Sequence, residues 1–401
     1  MNDAPPRAAA SGPRIALLGA FAYPYPQGSQ VFFADQARAL AAAGARPTLL
    51  CYGRGYGEAD EELELIRSPA GLSPRVMNSG PQWGKPAADL GLLFTWLGAA
   101  RRAARAGRPF QFALAHNVEA AAIALMTRRL TRVKTVYVAH TLLRHELSAY
   151  LPERFGPEAD RAGLQIERSI VRRADGVIAL CEETRQALGR HARSEVAVIP
   201  PGYAARPQPS AEQRAQTCRS HGLEAGGYTL YSGNLDRYQD LDLLTAATRR
   251  LPPSADPVVI ASHSQDKRDA GEPLGGPGPG PRRIRVRDFE EMRTLIHGAR
   301  CLVATRQRIG GFPIKLLNYM EAGRPIVAFT GVAPGLVHDE SAWLVEPEQG
   351  AKGIAEALTD LSANPDRCER LGAGARRRLE TRHPWELIAS RTLDYLAAAR
   401  A

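Results

Sequence analysis

GGFPIKLLNYMEAGRPIV, residues Gly310–Val327, predicts a glycine-rich turn, a short helix and a buried strand in succession. Pro313 suits the first turn of the helix, because the N–H that proline lacks has no partner there. Gly323 is placed to end the helix, and residues 326–329 form an apolar run typical of a strand. Helical spacing gives the helix one apolar face, made of Leu316, Leu317 and Met320.

The turn before this helix has the features of an anion-binding site. Gly310 and Gly311 let a ligand approach the free N–H groups of the helix start, where the helix dipole favours phosphate. Lys315 lies within the first turn and is the best cationic candidate beside such a ligand. An ordinary connection between a loop, a helix and a strand is the alternative, and two adjacent glycines alone would favour it.

The same stretch is similar to a known pattern. GFPIKLLNYMEAGRPIV resembles the donor-site segment of family 4 glycosyltransferases, the retaining nucleotide-sugar enzymes of the GT-B fold. Two glutamates eight positions apart usually hold the sugar and the ribose in that family, and these positions fall on Gly310 and Asn318. Both carboxylates are missing, although Asn318 can still hydrogen-bond a ribose hydroxyl. The resemblance implies a donor-diphosphate site formed by Gly310, Gly311, Phe312, Pro313 and Lys315.

A second donor segment begins the later half of the chain. TLYSGNLDRYQDLDLLTAATRRL predicts a strand, a turn at Gly233 and a helix. Family 4 enzymes carry here an Arg and a Lys that bind the donor phosphates, and the resemblance places them on Asn234 and Gln239. The expected positive charge is therefore absent from both positions. Alternative sources of positive charge at the donor site are Arg237, Arg306 and Arg308.

The first half of the chain resembles the acceptor side of these enzymes. FAYPYPQGSQ is similar to their glycine-rich first loop and precedes a helix predicted over residues 31–43, while AHNVEA is similar to an inner segment that could line the acceptor pocket. The acceptor-side candidates are Gly28, Ser29, Gln30, His116, Asn117 and Glu119.

His140 follows a strand predicted over residues 135–139. In family 4 a histidine at this position approaches the transferring sugar, so the resemblance implies a catalytic role for His140 together with Lys315. The carboxyl end of a parallel strand is also where α/β proteins form their sites. A buried or capping histidine without catalytic function is the alternative.

Strands and helices alternate along the chain, and the alternation restarts once after the proline-rich stretch at 200–202. This pattern predicts an α/β protein with two Rossmann-like domains, and the resemblance implies the GT-B arrangement, in which the domains face each other across a cleft and the last helix crosses back. Residues 53–85 are polar and are predicted to be irregular. Residues 268–283 are rich in glycine and proline and are predicted to form a mobile loop. The predicted divisions are a disordered lead-in (1–13), an N-terminal acceptor-side domain (14–200), a linker (201–212), a C-terminal donor domain (213–383) and a C-terminal helix that packs on the N-terminal domain (384–401).

Composition excludes several classes of protein. The net charge of +10 and the pI near 9.6 favour an anionic partner, but the basic residues are not interleaved with stacking aromatics, so nucleic acid is not expected. The five cysteines are scattered without a CxxC pair, which argues against a zinc site and a disulfide framework. A dinucleotide fingerprint is absent from the first loop, which disfavours a dehydrogenase. Without an apolar run long enough for a membrane span or a signal peptide, the expected location is cytoplasmic and at most peripheral to a membrane.

Two local patterns have competing interpretations. Residues 86–107 predict an amphipathic helix, and Arg101, Arg105 and Arg108 recur at a spacing that places them on one face. Residues 86–108 could therefore lie on an anionic membrane surface, and a core-packed helix with a solvated end is the alternative. The triplet of residues 240–242, Asp-Leu-Asp, matches a metal motif of another transferase fold, but its position indicates a helix cap and a solvated carboxylate.

The resemblance to family 4 implies a retaining glycosyltransferase of hexosyltransferase type, acting in envelope or exopolysaccharide synthesis. It would move a sugar from a nucleotide-diphosphate donor to a glycan, a lipid-linked acceptor or a small molecule. No metal or other cofactor is expected, because the helix dipole, backbone N–H groups and a cationic side chain can neutralise the leaving diphosphate. The missing carboxylates and basic residues leave two alternatives open, namely a non-catalytic GT-B protein that binds a ligand or partner, and a GT-B sugar-nucleotide epimerase.

Overall fold

The computed structural model describes residues 12–25, 27–57, 60–73, 84–150, 155–263, 280–308 and 310–399. The predicted lead-in (1–13) and the loop rich in glycine and proline (268–283) lie mostly outside these residues. The chain divides into two units. The first comprises Met1–Gly202, Gly310–Phe312 and Trp385–Ala401, and the second comprises Tyr203–Ile309 and Pro313–Pro384.

The first unit is built on a parallel sheet. Its described strands are β1 (Arg14–Gly19), β2 (Arg46–Cys51), β3 (Glu64–Arg67), β4 (Phe112–His116), β5 (Lys134–Ala139), β6 (Gly176–Ala179) and β7 (Val196–Val198). They form one seven-stranded sheet in the order β3-β2-β1-β4-β5-β6-β7. The central strands β1, β4 and β5 are buried along almost their whole length, as expected for a parallel sheet covered on both faces.

Helices connect these strands and cover the sheet. They are α1 (Gly28–Ala42), α2 (Lys85–Arg105), α3 (Val118–Thr131), α4 (Leu143–Tyr150), α5 (Gly156–Arg173) and α6 (Glu182–Gly189). The helix predicted over residues 31–43 therefore begins three residues earlier. As a result, Gly28, Ser29 and Gln30 form the first turn of α1 instead of the loop before it.

The prediction that residues 53–85 are irregular is wrong for β3. Glu64–Arg67 pairs in parallel with β2, and Thr48 Oγ1 donates a 2.7 Å hydrogen bond to the Glu64 carboxylate. The sequence of β3, Glu-Leu-Ile-Arg, has charged residues at both ends because β3 is the edge strand of the sheet. A prediction that looks for continuous apolar runs in the sequence misses a strand of this kind.

The second unit has its own parallel sheet. Its described strands are β8 (Thr229–Ser232), β9 (Val258–Ser262), β10 (Arg282–Arg285), β11 (Cys301–Ala304), β12 (Ile326–Phe329) and β13 (Trp343–Val345). Among the described residues they form a six-stranded sheet in the order β10-β9-β8-β11-β12-β13. The bounds of β12 are those predicted, whereas β13, another short edge strand, was not predicted.

The helices of the second unit are α7 (Ala211–Ser220), α8 (Leu241–Thr248), α9 (Phe289–Gly298), α10 (Lys315–Ala322), α11 (Gly350–Ala363) and α12 (Pro365–Arg382). The prediction that Pro313 lies in the first turn of α10 is wrong, because Ile314 is the N-cap residue and Lys315 the first helical residue. The Pro313 carbonyl accepts a 2.9 Å hydrogen bond from the Leu316 N–H instead. The helix ends at Gly323, as predicted.

The last helix, α13 (Trp385–Ala398), belongs to the first unit and packs on α1. The Trp385 indole stacks on Phe32 of α1 with ring centroids 5.9 Å apart. Further along α13, the Tyr395 hydroxyl accepts a 2.8 Å hydrogen bond from the Val177 N–H of β6. Two parallel sheets covered by helices confirm the predicted fold class of two Rossmann-like units.

None of the helices in the described residues combines the length and the apolar composition that crossing a membrane requires.

A buried charge cluster anchors the start of the second unit. Glu321 of α10 accepts hydrogen bonds from Arg293 Nε at 3.2 Å and from His297 Nε2 at 2.8 Å, and all three side chains are buried. Arg293 also donates to the backbone carbonyl of Pro207 at 2.9 Å. Although burial opposes ionisation, the hydrogen bonds from His297 and Arg293 lower the pKa of Glu321, which keeps the carboxylate charged.

We expect Glu321→Ala to destabilise the second unit by about 3–5 kcal/mol, because it leaves the Arg293 guanidinium buried without its carboxylate. Urea denaturation followed by tryptophan fluorescence measures the change. The matched control is Glu356→Ala, which removes an exposed carboxylate paired with Lys352 and should cost at most about 1 kcal/mol. Equal effects of the two substitutions would contradict a structural role for the buried cluster.

Candidate active site

The strand order of the first sheet reverses between β1 and β4, which are neighbours in space but not in sequence. Loops leave the carboxyl ends of two such strands in opposite directions, so this edge is where α/β proteins bind ligands. His116 is the last residue of β4 and pairs with Gly19 of β1. His140 follows β5, the next strand along. The topology therefore brings both predicted histidines to the expected edge.

The two imidazoles contact each other directly. His116 Nδ1 and His140 Nε2 lie 2.8 Å apart, within hydrogen-bond distance. Burial lowers the pKa of His140 to about 4, and burial together with His140 lowers the pKa of His116 well below its usual value. Both rings are therefore neutral at pH 7, and one shared proton joins them.

Aromatic side chains surround this pair. Phe32 contacts both imidazoles, with ring centroids 5.7 Å from His116 and 5.2 Å from His140. Phe33 contacts His116 edge to face at 4.9 Å. The structure corrects the role predicted for His116, because its side chain is fully buried against these rings and does not line an open pocket.

Asn117 and Glu119 serve the local structure next to His116. Asn117 has φ 80° and ψ 170°, a backbone conformation that residues other than glycine rarely adopt, and its side chain caps α3 by accepting a 3.1 Å hydrogen bond from the Ala120 N–H. Glu119 forms an ion pair with Lys85 at the start of α2. Both side chains therefore have partners in the first unit, and their predicted acceptor-side role stays a prediction. The strained turn at Asn117 holds His116 at the end of β4.

The start of α1 offers more open acceptor-side positions. Gly28 and Ser29 are partly exposed, and Gln30 is buried. The Oε1 atom of Gln30 makes no hydrogen bond to any described residue. A buried amide oxygen without a donor is costly unless a ligand or water supplies one, so Gln30 is the strongest acceptor-side candidate of this turn.

Gly310, Gly311 and Phe312 are buried and group with the first unit. Gly311 has φ 88°, and a methyl group added there would lie 1.7 Å from the carbonyl oxygen of His140. Only glycine satisfies both conditions. The predicted freedom of this turn is therefore restricted at Gly311, whose close approach fixes it against the backbone of His140.

A second cluster lies in the other unit, where the strand order reverses between β8 and β11. Lys315, the first residue of α10, donates hydrogen bonds to the Tyr231 hydroxyl at 2.8 Å and to Gln239 Oε1 at 3.0 Å. Its ammonium also lies 4.0 Å from the centre of the Tyr231 ring. Among the described residues, no carboxylate forms an ion pair with Lys315. Burial, with a smaller contribution from the Arg306 guanidinium, lowers its pKa to about 7.

The other predicted donor residues surround Lys315 at different distances. Gly233, after β8, has φ 132°, and an added methyl group would lie 2.9 Å from Lys315 Nζ, so the turn passes directly over the ammonium. Asn318 follows Lys315 by three residues, which places it on the same side of α10, and it is partly exposed. Arg237 is exposed in the short turn that ends at Gln239.

Asn234 is already engaged. Its side-chain amide donates 2.8 Å hydrogen bonds to Asp236 Oδ2 and to the Tyr238 hydroxyl, and Arg306 lies over the Tyr238 ring at 5.6 Å. Sequence reasoning did not single out Tyr231, Asp236 or Tyr238. The signal was present in TLYSGNLDRY, where Tyr231 lies in the strand and Asp236 and Tyr238 follow the glycine turn.

Asp240 and Asp242 lie at the start of α8. Asp240 occupies the N-cap position of α8 but makes no capping bond, which corrects the predicted role, and its carboxylate accepts a 3.0 Å hydrogen bond from the Gln307 N–H. Asp242 is exposed, as predicted. Within the described residues, no group of three or more His, Cys, Asp or Glu side chains is arranged to hold a metal ion.

Two family models match the chain. Residues 26–205 match the model described as Glycosyltransferase Family 4, and residues 227–364 match the model described as Glycosyl transferases group 1. The matches follow each other in the order of the two units. The chain is a GT-B glycosyltransferase.

Relatives of known structure or name agree with this assignment. The glycosyltransferase is 26% identical to a D-inositol 3-phosphate glycosyltransferase from Streptomyces bingchenggensis, over 96% of this chain and 89% of that protein. Its fold is similar to that of HepE from Anabaena in complex with UDP and glucose, with a TM-score of 0.70 and 16% identity over 96% of this chain and 99% of that chain. Sucrose-phosphate synthase from Thermosynechococcus elongatus gives a TM-score of 0.74 and 18% identity, over 96% and 98% of the two chains.

We expect Gly311→Ala to destabilise the first unit more than Gly107→Ala. Both glycines have positive φ, so each substitution costs about 1–2 kcal/mol of backbone strain. A methyl group at Gly107 meets open space, whereas one at Gly311 meets the His140 carbonyl and should cost about 1–3 kcal/mol more. Differential scanning calorimetry measures both. Equal destabilisation would mean that residues 310–312 do not pack against His140.

Proposed function

We propose that this glycosyltransferase moves a sugar from a nucleoside-diphosphate donor to an acceptor with retention of anomeric configuration. The acceptor would be a glycan, a lipid-linked sugar or a small polyol such as the inositol phosphate named for its relative. The observation that carries the proposal is Lys315, a partly buried ammonium without a carboxylate partner among the described residues, at the start of a helix.

Three features of Lys315 favour a phosphate ligand. The ammonium lies at the amino end of α10, where the helix dipole also attracts negative charge. Its two hydrogen-bond partners, Tyr231 and Gln239, are neutral. The nearby Asp236 carboxylate favours the charged ammonium, but by less than burial and Arg306 disfavour it. A diphosphate placed there would receive a charge-assisted hydrogen bond, which is stronger than a neutral one.

The position of Lys315 also accounts for a missing residue. The family resemblance places a lysine at position 239, where this chain has glutamine. Because Lys315 Nζ lies 3.0 Å from Gln239 Oε1, its ammonium occupies the surroundings of that side chain. We therefore infer that Lys315 supplies from α10 the charge that other members supply from position 239. Arg237 and Arg306 are further candidates for contact with the diphosphate.

The remaining roles follow from the resemblance. We propose that Asn318 binds the ribose, that Gly233, Gly310 and Gly311 contribute backbone groups, and that His140 contacts the transferring sugar. We propose that the transferred sugar is a hexose. We also propose that the transfer needs no metal ion, because the chain offers its own cations and N–H groups to the diphosphate. The complex of HepE with UDP and glucose supports UDP-sugars as the first donors to test.

A panel of UDP-, GDP-, ADP- and TDP-sugars tests the proposal. A donor present at about 100 times its dissociation constant should add roughly 2.7 kcal/mol of stability, measured as a thermal shift. Release of the nucleoside diphosphate, and NMR of the product anomer, then separate the alternatives. Binding without turnover would indicate a non-catalytic protein, and conversion of the donor sugar into its epimer would indicate an epimerase.

We also propose that the first unit contacts an anionic membrane through α2 and α3. Leu92, Trp96 and Leu97 of α2 are buried, so the apolar contact predicted from the sequence rests on other residues. Phe94 is 62% exposed and Met126 of α3 is 74% exposed. The helices are packed together, with Trp96 Nε1 donating a 3.0 Å hydrogen bond to Thr127 Oγ1. Exposed side chains of this docking face are Leu90, Phe94, Arg101, Arg102, Arg105, Arg108, Met126, Arg129, Leu130 and Arg132.

Lys315→Met should weaken UDP binding about 10- to 100-fold, because it removes a charge-assisted contact worth on the order of 1.5–3 kcal/mol. With a pKa of about 7, Lys315 is mostly neutral at pH 8, and a bound diphosphate raises this pKa. UDP binding at pH 8 should therefore take up a proton, and affinity should fall as the pH rises from 7 to 9. Calorimetry in buffers of different ionisation enthalpy measures both effects.

Lys352→Met is the matched control, because Lys352 is an exposed lysine of the same unit. It should bind UDP as the wild type does, with the same proton uptake. Unchanged affinity in a folded Lys315→Met variant would remove Lys315 from the donor site.

Replacing Arg101, Arg102 and Arg105 by alanine should weaken sedimentation with anionic vesicles, because each arginine near such a surface contributes roughly 1 kcal/mol. Phe94→Ser should weaken it further, and salt should reduce wild-type binding. The control replaces three exposed arginines of the second unit, Arg249, Arg250 and Arg287, by alanine. Binding that is insensitive to lipid charge, or equally sensitive to both triple substitutions, would contradict a docking face on α2 and α3.

A further inference from the structure

The contact between His116 and His140 goes beyond the role that the resemblance gives to His140 alone. His140 is the less buried of the two rings, and its Nε2 is occupied by the 2.8 Å contact with His116 Nδ1. Nδ1 is therefore the nitrogen of His140 that remains for a ligand. At the other end of the pair, His116 Nε2 is buried and makes no hydrogen bond to a described residue.

Counting protons leaves two arrangements for this neutral pair. In the first, His116 Nδ1–H donates to His140 Nε2, so His140 carries its proton on Nδ1 and His116 Nε2 is a bare lone pair. In the second, His140 Nε2–H donates to His116 Nδ1, so His140 Nδ1 is bare and His116 Nε2–H is a buried donor without an acceptor. Which arrangement is present decides whether His140 offers a ligand a donor or an acceptor.

The surroundings of His116 favour the first arrangement. Phe32 and Phe33 line the ring and offer no conventional hydrogen-bond acceptor. Buried N–H groups without partners are rarer in proteins than under-satisfied acceptors, so a bare Nε2 is the less costly state there. Among the described residues, no charged side chain shifts the pKa of either ring. Burial and the neighbouring imidazole are the causes for His116, and burial alone is the cause for His140.

We propose that His116 is a positioning residue that fixes the ring and the tautomer of His140, so that His140 presents Nδ1–H as a hydrogen-bond donor. Two backbone features hold the geometry. The strained turn at Asn117 places His116 at the end of β4, and Gly311 packs against the carbonyl of His140. We place this donor next to a hydroxyl or another oxygen of the transferring sugar, and this step rests on the proposed function.

The tautomer is measured by NMR of protein labelled with ¹⁵N at histidine, with His140 assigned from the His140→Asn variant. In the wild type, we expect a proton on Nδ1 and none on Nε2 of His140. His116→Asn keeps an N–H donor near the position of Nδ1 and should preserve this pattern. His116→Phe keeps a ring of similar shape without a donor, and it should let His140 populate both tautomers.

Turnover gives a second readout, with UDP-glucose as the probe and UDP released by hydrolysis as the signal. His116→Phe should lower kcat by about tenfold or more and change KM by less than about threefold, and His116→Asn should recover most of the loss. Calorimetry with UDP should show unchanged affinity for both variants.

A proton on Nε2 of His140 in the wild type would overturn the proposal, even if His116→Phe failed to fold. An unchanged His140 signal in folded His116→Phe would do the same, as would equal losses of kcat in the Asn and Phe variants. A wild-type protein that turned over no nucleotide sugar would contradict the proposed function alone, because the tautomer is measured without a ligand.

Discussion

Each sheet reverses its strand order beside its first strand, and this topological constraint determines where the protein can do chemistry. At β1 and β4 the reversal brings the ends of β4 and β5 to one edge, with His116 and His140 on them. At β8 and β11 it leaves room after β8 for the turn at Gly233, beneath which Lys315 lies. The helices and loops around the two edges supply side chains of different charge. The first edge is neutral and aromatic, whereas the second carries an ammonium without a carboxylate partner in the described residues.

That difference in charge explains how the glycosyltransferase can depart from its family at several positions. Gln239 and Asn234 lack the charge that the family pattern supplies, yet Gln239 directs its oxygen to Lys315 and Asn234 holds Asp236 and Tyr238. Burial lowers the pKa of Lys315 to about 7, so its charge is easily gained when an anion approaches. We infer that the positive charge at the donor site depends on the bound ligand. This dependence is stronger than it would be with the Arg and Lys that the family pattern supplies, because those two side chains would be charged at all times.

The sequence predicted most where local patterns decide the structure. The loop, helix and strand of residues 310–327 were recognisable because Gly323 and Pro325 end a helix and residues 326–329 form a continuous apolar strand. Edge strands β3 and β13 were missed, since short strands with polar residues have no such run. Local sequence patterns also did not predict the partners of individual side chains. The contact of His116 with His140 and the approach of Gly311 to the His140 carbonyl join segments far apart in the chain. The capping bond of Asn117 is local, but it was not predicted either. Family resemblance supplied the histidine and the helix, but it could not show that Lys315 lies beside Gln239.

The most direct measurement is a crystal structure of the protein with bound UDP. We expect diphosphate oxygens within about 3 Å of Lys315 Nζ and of the first free N–H groups of α10, with the ribose near Asn318. In the same structure, the contacts of Lys315 with Tyr231 and Gln239 should lengthen or be shared with the ligand. A diphosphate bound away from Lys315 and from the start of α10 would show that this helix does not carry the donor site.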